Sequence, residues 1–128
     1  MTFDKDFFIS QKFTQAQLGK YRKSAKRNLD IAGRHGEPEV VFHFSYMALI
    51  MIGIYYLAKE GYRVKSRPGH HKKIIEALSE ILGSQDVLVV GERMRKSRNR
   101  DMYNADMLIA KKEASEYLQF VEGLFKAL

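Results

Sequence analysis

The stretch "VVFHFSYMALIMIGIYYL", Val40 to Leu57, decides the fold. It is apolar nearly all round and so offers no polar face with which a surface helix would meet water. Two settings suit such a helix: a bilayer, which about 20 apolar residues can span, or the centre of a bundle. His43 and Ser45 interrupt the run. Every other helical segment of the chain is amphipathic and needs an apolar partner for its stripe, which a membrane span would remove. The stretch therefore reads as a central core helix over about 38–60. Pro38 stands in its first turn and Gly61 follows its end.

Working outward, Thr14 can cap a helix through about Ala32, with Leu18, Tyr21, Ala25 and Leu29 on one face. "GRHGEP" (33–38) separates it from the core helix. "GYRVKSRPG" (61–69) leads to "HHKKIIEALSEILG", whose inner face carries Ile74, Ile75, Leu78, Ile81 and Leu82. Gly83 closes that helix and Ser84 can cap a fourth. A break near "NADML" precedes a last helix in which Ala114, Tyr117, Leu118, Val121, Leu124, Phe125 and Leu128 form a stripe. No run alternates apolar and polar residues for long enough to argue a sheet. The predicted class is all-α: an up-and-down antiparallel helical bundle of four to five helices in one domain over 1–128. Residues 1–13 are expected to be a loosely ordered N-terminal segment.

The composition is that of a globular domain, 45% hydrophobic and 29% charged. With 0 Cys, disulfides, thiolate nucleophiles and Cys-ligated zinc are excluded, and a reducing, cytoplasmic setting is expected. "MTFDKDFFISQKF" mixes acids with aromatics and builds no continuous apolar core of a leader peptide, so none is expected. The 22 Lys and Arg outnumber the 15 Asp and Glu, a formal charge of +7 that favours anionic partners, nucleic acid among them. No Gly-rich phosphate loop, GxSxG elbow or HExxH pair is present. Adjacent His70 and His71 point about 100° apart on a helix, which disfavours a shared metal, so no metal and no cofactor is expected. Their place at a helix start, before Lys72 and Lys73, suits either an exposed junction or an anion. His43, on the core helix, is expected to be a satisfied core histidine.

"RMRKSRNRDMYN" (93–104) is the basic stretch that carries the site reading. Val87, Val90, Gly91 and Met94 make the apolar stripe of the fourth helix, and its continuation lands on Arg98 and Asp101. A charge on an inward stripe is costly unless paired. Arg98 and Asp101 therefore pair with each other or serve a ligand in a cleft. Arg93, Lys96 and Arg100 share another face, a solvated side or, with Arg95, a track for phosphate.

"RNRDMYN" (98–104), followed by "IAKKEASEYLQFVEGLF" (109–125), resembles the C-terminal half of the higher-eukaryote and prokaryote nucleotide-binding (HEPN) domains, small stand-alone prokaryotic type. "FSYMALIMIGIYYLAKEGYRVKSRPGHHKKIIEAL" (44–78) is similar to the same family: a Tyr- and Ala-rich helix, a glycine, a basic loop and a His-led helix. The likeness runs from about Leu18 to Leu128. It implies a helical bundle that forms homodimers and binds RNA or nucleotide, often as part of a toxin–antitoxin or defence system beside a nucleotidyltransferase partner. Membrane association is not implied. In catalytic members an Arg and a His four to six residues apart cut RNA without metal. Here Arg98 matches the arginine and Asn99 the polar residue after it, while Tyr103 stands where the histidine is expected. A tyrosine, with a pKa near 10, is a poor general base at neutral pH.

Three functions follow as expectations. The first is RNA or nucleotide binding with a degenerate ribonuclease site at Arg98, Asn99, Asp101 and Tyr103, flanked by Arg93, Arg95, Lys96 and Arg100. The second is a dimeric interaction module in which Arg98–Asp101 is a structural ion pair. The third is a metal-independent ribonuclease that borrows a histidine from elsewhere, His43 or His71.

Overall fold

A computed structural model describes residues 3–34, 36–103 and 109–128, with 100–103 described by backbone alone. Five helices and two short strands make up the described residues: β1 Phe8–Ser10, α1 Gln15–Arg34, α2 Pro38–Lys59, β2 Tyr62–Val64, α3 His70–Leu82, α4 Gln85–Tyr103 and α5 Lys111–Lys126. The fold is an all-α bundle, as the sequence predicts.

Local chemistry sets the helix ends. Thr14 and Gln17 form a reciprocal cap at α1: the Gln17 N–H donates to Thr14 Oγ1 at 3.1 Å, and the Thr14 N–H to Gln17 Oε1 at 2.8 Å. Pro38 opens α2, where a missing N–H costs nothing. Gly83 ends α3 in the left-handed conformation, and the Ser84 hydroxyl accepts from the Val87 N–H to start α4. A link this short turns α4 back along α3 as its antiparallel neighbour.

α2 is the core. It packs against α1, α3, α4 and α5, and Tyr46, Ala48, Leu49 and Ile52 are fully buried along it. By length and mean hydropathy (1.8) it could cross a membrane, yet 56% of that window is buried by its neighbours. Those neighbours contribute the stripes expected of them: Ala25 and Leu29 from α1, Ile74, Ile75 and Leu78 from α3, Val87 and Met94 from α4, Ala114, Tyr117 and Val121 from α5. α3 approaches α2 and α4 closely because each offers it a glycine. A Cβ on Gly53 would collide with the Ile74 side chain, and one on Gly91 would come within 2.7 Å of Ile75 Cγ2.

The N-terminal segment departs from expectation. Rather than a loose tail, residues 8–10 pair antiparallel with 62–64, Phe8 opposite Val64 and Ser10 opposite Tyr62. Phe8 is buried, and Phe3 packs on Phe8 and Tyr62 at ring separations of 5.3 and 4.0 Å. Phe3 and Phe8 anchor this strand.

Candidate nucleic-acid-binding cleft

Two walls face each other across the start of α3. One is the loop 65–69. The Arg67 guanidinium donates to the Asp6 carbonyl at 2.8 Å and lies 5.1 Å from the Phe7 ring centroid. Lys73 sits over the same ring at 5.1 Å and 3.7 Å from the Asp4 carboxylate. The N-terminal segment thus braces this wall. Gly69, at φ +86°, makes the left-handed turn into α3, a conformation that costs glycine little. The other wall is α4, held against α3 at the Gly91–Ile75 contact.

Between them lies a cleft of about 440 Å³. Tyr46 of α2 lines its base, and the loop contributes Ser66, Arg67 and Gly69. His70, His71 and Lys72 enter from the first turn of α3, with Arg95, Arg98 and Asn99 from α4. The lining therefore carries four Lys or Arg side chains, and no carboxylate is among its described residues. The positive end of the α3 dipole opens into the same space, and no side chain caps it at Gly69. This arrangement favours an anion rich in hydrogen-bond acceptors.

At the base, the Tyr46 hydroxyl and His71 Nδ1 are hydrogen-bonded at 2.9 Å, and the Arg98 guanidinium lies 5.4 Å from the Tyr46 ring centroid. Arg98 thus continues the Val87–Gly91–Met94 stripe, half-buried, with an aromatic face beneath it. Burial pushes the Tyr46 phenol up to about 12 against the opposing pull of Arg98 and Arg95. His71 is lowered to about 4, chiefly by burial, then by its electrostatic interaction with His70, Arg98 and Arg95. Its imidazole is consequently neutral at pH 7 and a weak proton acceptor. Arg95 is engaged by Glu92 through two hydrogen bonds of 2.9 and 3.1 Å, which hold the Glu92 carboxyl below its usual range.

Of the residues singled out by sequence, Arg98, Asn99 and Arg95 meet in this cleft. Arg93 and Lys96 are exposed on α4 outside its lining, with the charge of Arg93 felt at Tyr117 of α5. The side chains of Arg100, Asp101 and Tyr103, the break at 104–108 and His35 lie outside the described residues. His43 is exposed and edge-on to Phe44 at 5.0 Å, which corrects the expectation of a core histidine. For His70 and His71 the sequence leaves open an exposed junction or an anion. The structure places His71, half-buried, against the fully buried Tyr46 at the base of the cleft. One signal did point there: the run "RPGHHKK", histidines and lysines on a glycine-started helix.

No family model, no curated protein and no solved structure matches the chain.

Proposed function

We propose that this chain is a HEPN-like domain that binds RNA through its phosphates in the α3–α4 cleft, without efficient cleavage. The observation that carries this reading is the cleft's lining: Arg67, Lys72, Arg95 and Arg98 around a dipole end, with no carboxylate among the described lining residues. Arg98 can offer a planar fork to phosphate oxygens. The neutral, weakly basic His71 supports binding over acid–base chemistry, since a positioned base works best with a pKa near the working pH.

The test is equilibrium binding of labelled single-stranded RNA to the full chain and to Arg98→Ala. Loss of a charged hydrogen bond, about 1.5–3 kcal/mol, predicts roughly a 10- to 100-fold weaker Kd for a variant that still folds. Unchanged RNA affinity in a folded Arg98→Ala protein would sink the proposal. Two imidazoles beside Arg98 support a second reading, a metal-independent ribonuclease. RNA cleavage that persists in chelator and disappears in both Arg98→Ala and His70→Ala would establish it over the first.

A further inference from the structure

The cleft holds two adjacent histidines whose ring nitrogens have different partners. His70 Nδ1 lies 2.8 Å from the Arg67 carbonyl oxygen. A carbonyl only accepts, so Nδ1 of His70 carries the proton in that bond. His71 Nδ1 lies 2.9 Å from the Tyr46 hydroxyl, and either group could donate. Burial decides between them. Tyr46 is fully buried, and His71 is the hydrogen-bond partner its hydroxyl has among the described residues. Were His71 to donate, the phenolic O–H would lose that acceptor in a buried position, at a cost of a lost hydrogen bond. The hydroxyl therefore donates, Nδ1 of His71 accepts, and the ring proton sits on Nε2.

We infer that Tyr46 is a positioning residue: its hydroxyl fixes His71 as the Nε2–H tautomer, so that the cleft presents a neutral ring N–H as a hydrogen-bond donor to a phosphate oxygen. The donor role rests on the phosphate-binding reading above; the tautomer does not. The groups that face His71 all favour its neutral form. Tyr46 comes from α2, His70 neighbours it on α3, and Arg95 and Arg98 face it from α4. A second cation there would be repelled, whereas a neutral N–H adds a directed contact without charge. The two histidines are then opposite in kind. His71 is a fixed donor at Nε2, and His70 donates from Nδ1 to the Arg67 carbonyl.

Long-range proton–nitrogen correlation spectra of the imidazoles of the ¹⁵N-labelled full chain test this directly. His71 is assigned from the signal lost in His71→Gln. The expected result is an Nε2-protonated, Nδ1-unprotonated ring from pH 8 to pH 5. An Nδ1–H pattern, a tautomer average, or a doubly protonated ring at pH 7 overturns the inference. In Tyr46→Phe the His71 signals are expected to move to a tautomer average; an unmoved pattern in that variant also overturns it. Should Tyr46→Phe fail to fold, the wild-type spectrum still decides the tautomer. Side-chain amides then test the donor role: Gln reaches the position of Nε2 and Asn that of Nδ1. His71→Gln is expected to keep RNA affinity, and His71→Asn to lose the roughly 3- to 10-fold that one neutral hydrogen bond is worth. Equal loss in both overturns the donor role. If wild-type protein binds no RNA, the phosphate reading fails while the spectra still judge the tautomer.

Discussion

At the scale of single residues, Tyr46, His71 and Arg98 form one unit in which a buried phenol orients an imidazole and supports a guanidinium. Because His71 is neutral in the fold down to about pH 4, it links stability to pH. An unfolded histidine takes up its proton near pH 6.5, so between these values the unfolded chain binds more protons than the native one. The His71 contribution to stability is fully present above about pH 6.5 and declines as pH falls toward 4. Melting temperatures at pH 7.5 and 5 should therefore drop more for the wild type than for His71→Gln; equal drops would contradict the linkage. Arg98 was legible in the sequence because it interrupts an apolar stripe, which a single helical wheel reveals. The Tyr46–His71 bond was not, since it joins residues 25 apart on different helices, and nothing local distinguishes that tyrosine from Tyr55 or Tyr56.

At the scale of elements, the two glycines facing α3 set how closely α2 and α4 approach it. Gly91→Ala would press a methyl group into Ile75, a core overpacking worth about 1–3 kcal/mol of stability, seen as a lower midpoint in denaturant. The expected loss exceeds that of Gly19→Ala, because a Cβ at Gly19 meets nothing within 4 Å. Thr14→Ala, which removes the α1 cap, should cost about 1 kcal/mol in the same measurement. The helices were readable because stripes, caps and glycine stops agree along 10–20 residues each. The strands were not. Three residues are too few to show a period of two, and Phe8–Ser10 finds its partner only after α1 and α2 have been traversed.

At the scale of the whole molecule, the +7 charge sets a long-range field and the cleft gives it a focus. Arg95 is already held by Glu92, which leaves Arg67, Lys72 and Arg98 as the cations most open to phosphate. Three such contacts predict a slope of about −2 for the logarithm of RNA affinity against the logarithm of salt concentration. A slope near zero would argue against phosphate contacts. The pairing of β1 with β2 has a further consequence, in the order of assembly. The α1–α2, α2–α3 and α3–α4 pairs close over short separations, but the strand pair and the Phe7–Arg67 brace join the start of the chain to its middle. Contacts of that separation form late in folding and, with few buried groups of their own, open first. One rim of the cleft would then be ordered by a clasp weaker than the bundle it rests on. Hydrogen exchange should find the amides of Lys65 and Gln11, bonded to Phe7 and Gly61, less protected than those of α2. A ligand that grips Arg67 would tighten that clasp and slow exchange at the far end of the chain, in residues it never touches.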